Sequence, residues 1–69
     1  MKIAIKFNKK IYPLKAIEFA IKAFKPLAKF QVKNTQDYII IVLSQIRSDI
    51  KEMIKDEFSN YVLAHINNM

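Results

Sequence analysis

The segment Tyr38-Ile39-Ile40-Ile41-Val42-Leu43 is apolar at every position and rich in β-branched side chains. As a pleated strand it presents apolar groups on both sides. Such a strand belongs at the centre of a sheet, or has a second face that meets a partner. The polar residues Asn34 to Asp37 before it form a turn. Upstream of that turn, Phe30 and Val32 alternate with Lys29, Gln31 and Lys33, the period-two pattern of a half-buried strand. The first seven residues repeat the pattern, with Ile3, Ile5 and Phe7 on one side and Lys2, Ala4 and Lys6 on the other.

Between these strands the period changes. After a turn at Asn8, Lys9 and Lys10, the residues Leu14, Ile17, Ala20, Ile21, Phe24 and Ala28 recur at steps of three and four. Pro13 suits the first position of a helix, and Pro26 ends or kinks it, so the spacing predicts a helix from Pro13 to Lys25. A second helical stripe, Ile46, Ile50, Met53, Ile54, Phe58, Tyr61 and His65, predicts a helix from Ser48 to Ile66. Ser48 or Asp49 is placed to cap it, with Glu52 three residues after Asp49.

The order is therefore β-α-β-β-α, an α+β fold in one domain spanning residues 1–69. A right-handed crossover from the first strand to the second leaves room for the third between them, antiparallel to both. The expected sheet order is 1-3-2, with two helices packed on one face. The opposite face would then carry alternate residues of the central strand, Tyr38, Ile40 and Val42, diluted by Lys2, Lys6, Gln31 and Lys33. An exposed apolar strip of that kind predicts an interface.

Composition narrows the chemistry. The 69 residues are 52% hydrophobic and 26% charged, the balance of a globule with a real core. A chain of this size buries only about 60% of its unfolded surface. The lack of cysteine removes disulfide and thiolate-metal staples, so packing or homo-oligomerisation must supply the stability. One histidine cannot build a multi-histidine metal site, and the lack of glycine excludes the phosphate-cradling loops of nucleotide enzymes. No catalytic, cofactor-binding or metal-binding residues are expected. The apolar run at Tyr38–Leu43 is too short to cross a bilayer, and Lys2 and Lys6 interrupt the N-terminus where a signal peptide needs an apolar core. No membrane partner is expected, and the cytoplasm is the expected location.

The net charge of +6 is unevenly divided: residues 1–33 hold nine lysines against Glu18 alone. Lys9, Lys10, Lys15, Lys22 and Lys25 form a basic patch on the first turn and the outer face of the first helix. These lysines would attract nucleic-acid phosphates or an acidic protein equally, and as a solvated face they would keep a small protein soluble. Phe19 borders the lysine face, while Leu63 and Ile66 fall outside the main stripe of the second helix. All three are candidate partner-binding residues, together with Tyr38, Ile40 and Val42. Glu57, Tyr61 and His65 share one helical face, but Glu57 and His65 lie about 12 Å apart along the axis. They are read as structural polar residues, with Glu57 paired to a lysine of the sheet.

The stretch from Ile5 to Ile17, Ile5-Lys6-Phe7-Asn8-Lys9-Lys10-Ile11-Tyr12-Pro13-Leu14-Lys15-Ala16-Ile17, with Ala20 and Phe24 after it, resembles the opening of the small D component of His-Xaa-Ser peptide-modification systems. The ending Asp56-Glu57-Phe58-Ser59-Asn60-Tyr61-Val62-Leu63 resembles that family's last helix, so the likeness covers nearly the whole chain. Pro13 stands where the family has a capping hydroxyl, and Phe19 at a position usually polar. Members accompany radical S-adenosylmethionine enzymes and a peptide substrate. The resemblance thus implies an accessory role in maturing a ribosomally made peptide, with the radical enzyme or its peptide as partner.

Residues and resemblance together lead to the expectation of a noncatalytic adaptor that binds a peptide or a modifying enzyme through a sheet edge or the uncovered face. A homodimer is a further way to cover that surface. The alternative is a lysine-driven nucleic-acid-binding protein.

Overall fold

A computed structural model describes residues 2–67. Met1, the first residue of the expected first strand, lies outside them. The elements follow the expected order: β1 (Ile3–Asn8), α1 (Leu14–Phe24), a 3₁₀ turn (Lys25–Leu27), β2 (Lys29–Asn34), β3 (Tyr38–Ser44) and α2 (Ile54–Asn67). The sheet order is β1-β3-β2, with β3 antiparallel to both neighbours. Ile41 pairs with Ile5 on one side and Val32 on the other, which places Ile3, Ile5, Phe7, Phe30, Val32, Ile39, Ile41 and Leu43 on one face of the sheet.

Both turns that lead into this sheet are closed by side chains suited to them. Asn8 accepts the Lys10 N–H on Oδ1 at 2.9 Å, and its carbonyl accepts from Ile11 and Tyr12. In the β2–β3 turn, the Thr35 hydroxyl accepts the Tyr38 N–H at 3.0 Å and donates to the Tyr38 carbonyl at 2.9 Å. The hydroxyl thereby completes the rung that the Thr35 N–H begins at 2.9 Å on that same carbonyl.

The helices cover the apolar face of the sheet. From α1 come Ala16, Ile17 and Ala20, and from α2 come Ile54, Phe58 and Val62, all buried against Ile5, Phe7, Ile39, Ile41 and Leu43. This corrects both expected stripes. Leu14 is exposed and Ala16 takes its place, while Met53 is exposed and Val62 is buried. The buried lines run 16, 17, 20 and 54, 58, 62: Ile17, Ala20, Ile54 and Phe58 are buried as expected, and Ala16 and Val62 are buried positions outside the expected stripes.

Both helix starts differ from expectation as well. Pro13 is extended, with ψ 142°, and precedes α1 as the residue whose carbonyl accepts the first helical N–H groups, from Ala16 and Ile17. The last helix begins at Ile54 rather than Ser48, because residues 48–53 form successive turns. Asp49 is engaged by Arg47 at 2.8 Å and so is drawn from capping, while the Arg47 N–H donates to the Leu27 carbonyl at 3.1 Å. That tie holds the segment against the 3₁₀ turn until the Ile54 N–H reaches the Ile50 carbonyl and α2 begins.

Gln45, directly after β3, has φ 49°. A side chain with a Cβ costs about 1–2 kcal/mol in the left-handed region, and glycine, which avoids this cost, is absent from the chain. Gln45→Gly is therefore expected to raise stability by up to about 1 kcal/mol, and the β-branched Gln45→Val to lower it by about 1 kcal/mol, in urea titrations followed by circular dichroism. Phe58→Ala removes a fully buried ring, with a cost of about 3–5 kcal/mol. A core this small supplies about that much in total, so the variant is expected to be largely unfolded at room temperature in the same titration.

Candidate functional site

Three surfaces gather the residues singled out in the sequence. The first is the face of the sheet that the helices leave uncovered. The register sets Lys6 and Lys33 on either side of Ile40, Ala4 and Gln31 on either side of Val42, and Asn8 beside Tyr38. Lys6 Nζ sits over the Tyr38 ring, 4.3 Å from its centroid, a cation–π contact. Tyr38, Ile40 and Val42 are consequently half-buried by their cross-strand neighbours, forming a narrow apolar spine between lysines. None of the residues paired across this sheet is acidic.

The second surface is a groove of about 640 Å³ between α1 and the outer strand β2. Ile21, Ala28, Phe30 and Val32 form its floor, and Lys22, Lys25 and Lys29 stand around it with Glu18. Val32 belongs to the helix-covered face by register, yet it is 45% exposed because the helical layer ends short of it. Only Lys22 and Lys25 of this group stand among the expected site residues. Ile21, Phe30 and Val32 read in the sequence as ordinary core positions, since how far a helix layer reaches across a sheet is a tertiary property.

The third surface runs along α2. His65 packs on Tyr61, with ring centroids 4.6 Å apart, and its Nδ1 lies 3.3 Å from the Tyr61 carbonyl. The other neighbour of His65 is Phe19, stacked at 5.3 Å with an interplanar angle of 23°. Phe19 is thus 44% exposed but already engaged by the imidazole. Tyr61 also meets the edge of Phe24 at 5.5 Å. Leu63 is exposed on the outer side of α2, and Ile66 is half-buried against the core. Glu57 does not join this cluster. It is exposed at a shallow apolar depression lined by Phe24, Leu27, Ile50, Met53 and Ile54, and the expected lysine partner is not within ion-pair distance.

The basic residues divide between these places. Lys9 and Lys10 flank a hollow at the β1 end with Asn8, Gln36, Asp37 and Tyr38, whereas Lys15 and Lys22 bracket Glu18 and Phe19 on α1. Among the described residues, no three acidic or histidine side chains come together as a metal-binding group, and no helix is long and apolar enough to cross a membrane. Comparison with protein-family models, curated proteins and solved structures finds no match to this chain.

The Phe19–His65 stack joins α1 to α2 near the protein surface, so its contribution is measurable without disturbing the core. A double-mutant cycle of Phe19→Ala and His65→Ala, read by urea denaturation at neutral pH, is expected to give a coupling of about 0.5–1.5 kcal/mol. Additive effects would show that the rings are neighbours without mutual stabilisation.

Proposed function

We propose that this chain is a noncatalytic adaptor that holds a peptide or a modifying enzyme through a sheet edge or the uncovered sheet face. The maturation of a ribosomally made peptide is its proposed setting. The observation that supports this best is the small sheet itself: three strands, two outer edges and one face without a helical layer. Outer strands offer unpaired backbone groups to which an extended segment adds as a further strand. The half-buried spine of Tyr38, Ile40 and Val42 offers a second point of attachment. The resemblance to the small D component, carried by Ile5 to Ile17 and Asp56 to Leu63, supplies the peptide-modifying context.

Nucleic-acid binding is the competing reading, supported by the lysines at 9, 10, 15, 22 and 25. The two readings part in one experiment on the tagged chain expressed in its native cell. Photo-crosslinking from position 40 or position 63, followed by mass spectrometry, is expected to capture a discrete protein or peptide, with the yield retained after nuclease treatment. Crosslinks that disappear with nuclease, together with a gel shift that weakens steeply between low and physiological salt, would replace the adaptor by a nucleic-acid binder.

A further inference from the structure

The two outer edges of the sheet are not equivalent, and the difference identifies a ligand. In an antiparallel ladder, alternate residues turn both backbone groups toward the neighbouring strand and the others turn them outward. The Thr35 N–H bonds the Tyr38 carbonyl, which fixes the phase on β2: Lys29, Gln31 and Lys33 bond β3, and Phe30, Val32 and Asn34 direct N–H and C=O outward. On β1 the Lys9 N–H bonds the Asp37 carbonyl, so the outward residues are Ala4, Lys6 and Asn8. The Asn8 carbonyl is already taken by Ile11 and Tyr12. Moreover, the side chains of Ala4 and Lys6 stand on the uncovered face, away from the helix-side groove.

At β2, by contrast, the residues with free backbone groups are those whose side chains form the groove floor. A segment added to this edge would bond Phe30 and Val32. Its side chains opposite those two would project over the floor formed with Ile21 and Ala28. The residues between them would project to the other face, beside Lys29, Gln31 and Lys33. Lys22 and Lys25 rim the helix side, and Glu18 is the single acid of the groove. An apolar floor on one side of the added strand and lysines on both sides select for one pattern.

We propose that the β2 edge and the groove between α1 and β2 accept an extended peptide in which apolar residues alternate with acidic ones. The apolar residues fill the groove, and the acidic ones meet Lys29 and Lys33. This rests on the adaptor reading and names the edge and the chemistry of the segment it holds.

The test uses the full chain and a short fluorescein-labelled peptide alternating valine with glutamate. Controls are a peptide of the same composition with the valines and glutamates in separate blocks, one alternating valine with lysine, and a labelled single-stranded oligonucleotide. Fluorescence anisotropy is expected to show saturable binding of the valine–glutamate peptide only. Amide shift changes in nuclear magnetic resonance are expected to centre on Phe30, Val32 and Asn34. Val32→Pro deletes an outward N–H at an edge position that tolerates proline, and is expected to weaken binding at least about tenfold with an unchanged circular dichroism spectrum. If that variant does not fold, the exposed pair Lys29→Glu and Lys33→Glu decides, with the same expected loss.

Equal binding of the block peptide or the oligonucleotide would overturn the proposal. So would a solution dimer in which the β2 amides are protected in the free protein. Shift changes confined to Ala4 and Lys6, or to Tyr38, Ile40 and Val42, would overturn the β2 groove and leave an adaptor that works elsewhere. Absence of binding by every probe would overturn this proposal, and the adaptor reading falls with it only if the crosslinking also captures no partner.

Discussion

The ring of Phe58 is fully buried, with its centroid 6.1 Å from Phe7 on β1, 5.4 Å from Phe24 on α1 and 5.4 Å from Phe30 on β2. One side chain of α2 therefore touches both outer strands and the other helix. The central strand between them supplies Ile39, Ile41 and Leu43 as the floor. Each aromatic pair adds about 0.5–1.5 kcal/mol beyond the area it buries. In a chain with no disulfide, these contacts are a large share of the whole stability. The same geometry limits the helical layer. With α2 committed to the middle of the sheet and α1 buried through Ala16, Ile17 and Ala20, the helix-side surface of β2 beyond Phe30 is left without cover. The exposed Val32 and the groove beside it follow from how few helices have to shield three strands.

The first two strands were legible because two-residue alternation at Ile3–Phe7 and Phe30–Val32 is a local property, and the third because Tyr38–Leu43 is a short, β-branched run that is apolar on both faces. Their order followed from the handedness of the crossover between the first two and from the double-sided apolar character of β3. The start of α2 was not legible. Asp49 and Glu52 match a capping arrangement by spacing, but Arg47 two residues before Asp49 competes for the carboxylate, and its own N–H is held by the distant Leu27 carbonyl. Nothing in the local sequence announces that second contact. Val62 illustrates a different difficulty. Tyr61 and His65 fit a helical stripe as well as Val62 does, and the choice between the lines depends on which one the sheet meets. The groove was the least legible feature, since Val32 has the same pattern as a buried strand residue and differs only in lacking a helix above it.

The uneven charge of the sequence acquires a direction in the fold. Of the nine lysines of the first half, Lys6, Lys15, Lys22, Lys29 and Lys33 lie on β1, α1 and β2, and the other four lie before β1 and in the turns, whereas Asp56 and Glu57 lie in the first turn of α2. Acid at a helix N-terminus complements the helix dipole and stabilises it locally. Lysines arranged around an edge act at longer range, accelerating encounters with negatively charged segments and repelling positively charged ones. Under the adaptor proposal the two halves of the chain use charge differently, one for the stability of a helix and the other for the choice of what approaches the sheet.

An outer strand carrying Lys29 and Lys33 also has a protective explanation, because lysines on an edge discourage pairing between copies of the same chain. Protection by charge alone calls for an edge whose lysines stand over a covered core. It does not account for a free-edge valine above an apolar groove. On β1 the Asn8 carbonyl is occupied by its own turn, and the outward groups that remain belong to Ala4 and Lys6, whose side chains stand on the uncovered face where Lys6 lies over Tyr38. On β2 the outward backbone groups belong to Phe30 and Val32, the residues that floor the groove, so the lysines there guard an edge whose apolar side remains open. Under the β2-edge proposal, like charge disfavours a second β2 strand with its own lysines, and opposite charge admits an acidic one. In that proposal the same side chains both disfavour self-association and select the partner.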